Sequence, residues 1–212
     1  MADLRDYRAW HADYDDPESG LTWRLGVVRG HIRDALDAKP GPVRVLSACA
    51  GDGRDIIGVL AERGDADRVS TTLIEIDSEL TATARASAAE LGVQHVDVRA
   101  TDAGTTDAYA GAVPADVVLL VGIFGNITDA DVERTVAAAP QFCAPGAVLV
   151  WSRGLDRYDL NPSIRRWFAD AGFDEIDYAV HRGRDHTSAG AMRYTGPRVA
   201  LEPARPLFTF IR

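Results

Sequence analysis

The stretch VLSACAGDGRD, residues 45–55, does most to limit what this chain can become. An apolar run of strand character ends at Gly51 and Gly53, and the residues that follow take up helical spacing. A strand that turns sharply and re-enters as a helix opens a βαβ unit. It leaves the first amide hydrogens of the helix without partners at the strand's C-terminal end. The rest of the chain repeats this alternation. Apolar patterning predicts strands at 43–48, 70–76, 95–100, 116–123 and 147–153, with helices at about 53–63, 79–91, 129–140 and 162–171. The segment ADVVLLVGIF is nearly all apolar, as a central strand covered on both faces must be. The fold class that follows is α/β, a doubly wound and mostly parallel sheet.

The flanks add detail. Leu4, Tyr7, Trp10 and His11 follow helical spacing, DDPESG interrupts, and Leu25, Val28, Ile32 and Leu36 form a second amphipathic stripe that KPGP ends. Residues 1–40 therefore read as an N-terminal helical cap on a core of 43–212, the whole 1–212 forming one domain. Thr128 with Asp131 has the spacing of a capping box, and Asn161-Pro162 places a cap residue before a helix-starting proline. Ile164, Trp167 and Phe168 make the inward stripe of that last helix, and Gly172 stands where a C-cap glycine belongs. Beyond it, FDEIDYAVH, AMRYTG and LFTFI are strand candidates joined without a helix. This predicts an antiparallel hairpin at the sheet edge and leaves open which candidate is the last strand.

Composition excludes several classes. A net charge of −9 argues against a broad phosphate-binding surface, so nucleic acid is not the expected partner. The tail is the exception, with Arg182, Arg184, Arg193, Arg198, Arg205 and Arg212 against Asp185 and Glu202; an anionic group on a small substrate would explain it as well as RNA would. No run of 18 uncharged apolar residues suggests a membrane span, and the acidic start MADLRDYRAW is unlike a secretory signal. Cys49 and Cys143 read as reduced thiols of a cytoplasmic protein. No metal site is expected: there is no CxxC and no histidine pair at i,i+4, and His181 and His186 around Asp185 have a weak ligand spacing.

Three consecutive strands each end in a polar group at one edge. After the glycine turn, the second strand runs into LIEIDSEL, with Glu75 lying 22 residues beyond Gly53. At that distance a carboxylate on the neighbouring strand tip can accept both hydroxyls of a ribose. The third strand leads into RATDAG, which puts Asp102 and Ala103 where an adenine amine would lie. The pattern points to an adenosine compound. A dinucleotide site wants a third glycine in GxGxxG, and Ile56 occupies that position. No lysine stands near the turn, which excludes a P-loop. S-adenosylmethionine, whose amino-acid half needs no pyrophosphate cradle, is the common ligand left, with a nicotinamide cofactor as the weaker option.

On these residues the sequence resembles the class I S-adenosylmethionine-dependent methyltransferases over roughly 43–180. The family's first motif, an acid and three alternating glycines after a strand, reads VLSACAGDG here. Gly51 and Gly53 match the second and third glycines, Cys49 stands at the first, and Ser47 stands where the acid is usual. Cys49 is tolerable there if its backbone keeps a negative φ, and Asp52 or Asp55 could replace the missing acid. The whole chain also looks like a group of small bacterial methyltransferases of unassigned substrate that share YDDP and CAGDGRD. The resemblance implies a Rossmann-like seven-stranded sheet with S-adenosyl-L-homocysteine as product. It implies a cofactor site of Ser47, Ala48, Cys49, Gly51, Asp52 and Gly53, then Glu75 and Ile76, then Thr101, Asp102 and Ala103, with Gly122 and Ile123 beside the transferred methyl group.

Methyl transfer from a sulfonium is a direct displacement that needs alignment, exclusion of water and, for some acceptors, a base. His11 is the candidate base, with Tyr14 beside it in YRAWHADYDDP; Asn126 in GIFGNITD is a candidate orienting residue. Phe124 could wall the site, and Arg24 and Arg153 could hold a carboxylate or phosphate. Each also has a plain structural role open to it, as a helix fastener, turn residue, core aromatic or surface arginine. The Asn/Asp-Pro-Pro-aromatic turn of many amine methyltransferases is absent after the fourth strand. The expected activity is transfer to O or N of a small, possibly anionic molecule. The alternatives are a non-catalytic nucleoside sensor or protein-binding member of the same fold, and an RNA or protein methyltransferase.

Overall fold

The structure is a computed structural model that describes Tyr14, Asp16 and residues 18–154, 158–183 and 186–211. The described residues form a seven-stranded sheet in the order β3-β2-β1-β4-β5-β7-β6. Its strands are β1 (Val43–Ala48), β2 (Val69–Glu75), β3 (Val96–Ala100), β4 (Ala115–Leu120), β5 (Cys143–Gly154), β6 (Phe173–His181) and β7 (Thr187–Tyr194). β1 to β5 pair in parallel, whereas β7 lies antiparallel between β5 and β6. This is the Rossmann-like doubly wound sheet with an antiparallel C-terminal edge. The strand order reverses between β1 and β4, and ligands of open α/β sheets bind outside the strand ends at such a reversal.

Helices cover both faces: α1 (Gly20–Asp37), α2 (Arg54–Ala61), α3 (Ser78–Glu90), α4 (Asp129–Ala138) and α5 (Asn161–Asp170). Val28, Ile32 and Leu36 of α1 join Ile56, Ile57 and Leu60 of α2 in one core on one face. Phe124, Phe142, Trp151, Ile164 and Phe168 build the other core beneath α4 and α5. The central strands are buried on both sides, which is why β4 reads as continuous apolar sequence. The helix starts are specified locally. Ser19 accepts Thr22 N–H at 3.1 Å ahead of α1, and Asp77 accepts Glu79 and Leu80 N–H ahead of α3. Thr128 accepts Asp131 N–H ahead of α4.

Two local expectations need correction. Asn161 is the first helical residue and not the cap: Leu160 holds the cap position, and the Asn161 side chain turns inward to accept Ser188 O–H at 3.0 Å. LFTFI is not a strand; β7 is the last, and the tail returns across the sheet edge. There Leu207 and Phe208 N–H both donate to Gly104 O, at 2.8 and 3.4 Å, and Ile211 N–H to Asn126 O at 2.9 Å, bonds that do not form a ladder. Gly172 does end α5 with φ 86°, the left-handed conformation such a terminus needs. No helix among the described residues is long and apolar enough to cross a membrane.

Candidate active site

The loop after β1 is held in an unusual conformation. Cys49, Gly51 and Gly53 have φ of 50°, 58° and 70°. Cys49 thus takes the left-handed region and not the negative φ expected, at a cost of about 1–2 kcal/mol for a residue with a Cβ. Neighbouring groups hold the loop there. Ala50 N–H donates to Ile74 O and Gly53 N–H to Ala50 O, both at 3.0 Å. Gly53 is demanded by packing, because a Cβ on it would lie 2.7 Å from Leu73 Cδ1 and 2.8 Å from Ile57 Cδ1.

Glu75 ties the neighbouring turns together. Its Oε2 accepts Gly51 N–H at 2.8 Å and its Oε1 accepts Asp77 N–H at 2.9 Å. The carboxylate is buried, with 8% exposure, and its orientation is fixed from both sides. Each oxygen has a further lone pair, so the fixed group can still accept two hydroxyls.

A cleft of about 460 Å³ opens above these strand ends. Its floor comes from Ser47, Cys49, Gly51, Glu75, Asp102 and Gly122, one or more from the end of each of β1 to β4. Ile76 lines it while remaining 67% exposed, and Leu80 lines it too, so that an apolar rim accompanies the Glu75 carboxylate. Asp102 accepts Gly104 N–H at 2.8 Å, and Ala103 is buried with its carbonyl taken by Tyr109 O–H. Phe208, Thr209 and Phe210 of the returning tail close this side.

The opposite end is charged. Arg24 of α1 is buried in the wall and donates to the Tyr14 hydroxyl at 2.6 Å. The Tyr14 ring also lies 4.1 Å from the Arg54 guanidinium, whose nitrogens pair with Asp52. Asp55, in the first turn of α2, accepts Ile56 N–H at 2.8 Å. Burial pushes its carboxyl above the usual range; the Ile56 amide opposes that shift, the Asp52 charge adds to it, and the Arg24 charge opposes it. Burial, and then the charges of Glu75 and Asp102, raise the Cys49 thiol well above its ordinary value, so it stays protonated.

Of the residues implicated from sequence, Tyr14, Arg24, Ser47, Cys49, Gly51, Asp52, Asp55, Glu75, Ile76, Asp102, Ala103 and Gly122 share this cleft. Ala48 and Ile123 are buried in the core beneath it, Thr101 is exposed at the edge, and Gly53 packs under the loop. Asn126 does not line the cleft: it is buried and its Nδ2 donates to Gly122 O at 2.7 Å, bracing the turn after β4. Phe124 packs against Trp151 and Phe168. Arg153 is buried below the same turn and donates to Phe124 O, while its Nε has no hydrogen-bond partner among the described residues. His181 stacks on Trp23 at 5.4 Å, whereas Asp185 and His11, with Tyr7, Trp10 and Asp15, lie outside the described residues. Sequence reasoning missed Arg54, Leu80 and the tail residues Phe208 to Phe210. The Tyr14–Arg54 contact spans 40 residues and has no periodic signal, and the tail was read as a strand.

Comparison with solved structures decides the architecture. Magnesium protoporphyrin IX methyltransferase from Synechocystis PCC 6803, solved with bound SAM, superposes with a TM-score of 0.70 at 13% identity, covering 89% of this chain and 91% of that one. The chain has the class I methyltransferase fold. A putative sarcosine dimethylglycine methyltransferase from Galdieria sulphuraria matches at 0.63 and 9% identity over 82% and 86% of the two chains. The cyclase SpnF matches at 0.58 and 16% identity over 73% and 75%. No protein-family model matches the sequence, and no curated protein matches it significantly. A methyltransferase fold that also carries a cyclase leaves the chemistry to be argued from the site.

Proposed function

We propose that this protein is an S-adenosylmethionine-dependent methyltransferase acting on O or N of a small molecule. The observation that carries the reading is Glu75, a buried carboxylate fixed by two backbone amides at the mouth of a left-handed glycine loop. The residues present fit an adenosyl amino acid. Glu75 would take the ribose hydroxyls, Ile76, Asp102 and Ala103 the adenine, and Ser47, Cys49, Gly51, Asp52 and Gly122 would surround the amino-acid half. When bound, the sulfonium supplies an electrophilic methyl group and a neutral thioether leaving group. The chain's own part is to orient the acceptor, exclude water and, where needed, accept its proton.

Tyr14 is the proposed acceptor-side group, since its hydroxyl stands in the cleft wall held by Arg24. His11 and Asn126 are retained as proposed contributors, Asn126 through the turn that positions Gly122. A small acceptor is supported by the enclosure of the cleft between α1 and the returning tail, and by the net charge of −9, which disfavours a polyanion. Arg24 gives an anionic acceptor a cation to meet.

The test is transfer from methyl-labelled S-adenosylmethionine into extracts of small molecules and, separately, of macromolecules. Label in a low-mass product is the expected result. Label confined to RNA or protein would overturn the acceptor class, and failure to bind S-adenosylhomocysteine would overturn the whole reading.

A further inference from the structure

We propose that Arg54 is a positioning residue: clasped by Asp52 of the glycine loop, it holds the Tyr14 ring at the cleft wall, so that the loop on the cofactor side also sets the acceptor side. The inference rests on the methyltransferase reading above and adds to it a physical link between the two reactants. Asp52, Arg54 and Tyr14 all line the cleft.

Tyr14 is held from two helices. From α1, Thr22 Oγ1 donates to its carbonyl at 3.0 Å and Arg24 Nη2 to its hydroxyl at 2.6 Å. From the start of α2, the Arg54 guanidinium lies 4.1 Å from the ring centroid, well inside the range of a cation–π contact. The bonds from α1 fix the two ends of the residue relative to that helix. The Arg54 contact fixes the ring relative to the loop after β1. Without it, Tyr14 would keep its tether to α1 and lose its alignment with the loop.

Arg54 itself has little freedom. Its Nε donates to both Asp52 oxygens, at 3.0 and 2.9 Å, and its Nη2 donates to Oδ2. Its backbone is held as well: the N–H donates to Asp52 Oδ1 at 3.1 Å, and the carbonyl accepts Arg29 Nη2 at 2.6 Å. A planar guanidinium can give its edge to a carboxylate and its face to a ring, which a lysine ammonium cannot do. Helix stability does not call for this arginine. Arg54 is the first residue of α2, where the helix dipole disfavours a cation. The residue is thus placed against its local electrostatic preference, and what it gains there is the clasp on Asp52 and the contact with Tyr14. A movement of the loop carries Asp52, Arg54 and the Tyr14 ring together.

The test follows transfer of labelled methyl into the small-molecule extract at saturating S-adenosylmethionine, with the S-adenosylhomocysteine affinity of each variant measured by calorimetry. Arg54→Met is expected to slow transfer by about tenfold or more in the wild-type background. In a Tyr14→Leu background, which has no ring to place, the same change is expected to cost less than about twofold. Asp52→Asn keeps an oxygen for the Arg54 N–H and removes the charge that clasps the guanidinium; it is expected to slow transfer by about threefold or more. That variant decides the matter where Tyr14→Leu transfers too little label to compare. A residue that only supported the fold would slow both backgrounds equally. That result overturns the inference, as does an Arg54→Met or Asp52→Asn protein as fast as wild type. Wild-type protein that binds no S-adenosylhomocysteine or transfers no label overturns the methyltransferase reading instead, a failure visible without any variant.

Discussion

The two halves of the sheet's C-terminal edge are built differently. At β1, β2 and β3 each strand ends in groups that line the cleft, and the carboxylates of Glu75 and Asp102 accept backbone N–H groups of the turns, Gly51 after β1 among them. At β4 and β5 the turns are filled from below by Phe124, Trp151 and Phe168, and the polar side chains there are spent on carbonyls. The first half presents fixed polar atoms to a ligand. The second is a packed support that gives the cleft only Val121 and Gly122 of its turns. On the proposed function, the fixed polar half would hold the unvarying adenosyl group, and the packed half would leave the acceptor's contacts to other parts of the chain.

The largest effect should come from Glu75→Ala. Two charge-assisted hydrogen bonds to hydroxyls are worth about 1.5–3 kcal/mol each, so affinity for S-adenosylhomocysteine should fall at least ~100-fold by calorimetry. A loss below tenfold would mean that the polar half does not hold the sugar. Gly53→Ala should act on the fold instead. Its φ of 70° and the 2.7 Å approach to Leu73 together predict about 2 kcal/mol of destabilisation, or roughly 4–8 °C in melting temperature. Gly41→Ala is the control, with φ 83° and nothing within 4 Å, and should cost only the strain of about 1 kcal/mol.

The same contrast explains what could be read in the sequence. Strand ends with a glycine turn or an acid are short-range patterns, and Gly51, Glu75 and Asp102 all stand in the cleft. Helix positions followed from apolar spacing, and α2, α3, α4 and α5 fall within about two residues of expectation at each end. What failed were features set by distant contacts. The left-handed Cys49 depends on bonds from the loop to β2, the inward turn of Asn161 on Ser188 of β7, and the path of 207–211 on Gly104 and Asn126. None of these has a local signature. Asp52 and Asp55 could not be told apart for the same reason, since Arg54 lies two residues after one and directly before the other, and only the fold decides which it clasps.

On the packed half, Asn126→Ala should remove the 2.7 Å bond to Gly122 O and cost about 1–2 kcal/mol of stability, measured by urea unfolding. Affinity for S-adenosylhomocysteine should stay within about threefold, because the side chain does not line the cleft. A large loss of affinity with stability unchanged would move Asn126 from support to binding and erase the distinction between the halves.

Asp55 gives the smallest effect and the one whose sign is most informative. Its carboxyl is raised in the folded protein, chiefly by burial, so the folded state holds that proton more tightly than the unfolded chain does. The stabilising contribution of the protonated form is complete below the unfolded value of ~3.9, and it is lost as pH rises through the higher folded value. Asp52 from the same loop adds to the shift, while Arg24 from α1 opposes it. Once ionised, the group therefore destabilises the ligand-free protein. Asp55→Asn, which keeps an oxygen for the Ile56 amide, should raise the melting temperature slightly at pH 7 and lose that advantage below pH ~4. A variant less stable than wild type at pH 7 without ligand would show instead that the Asp55 charge is already compensated within the chain, by Arg24 and the Ile56 amide.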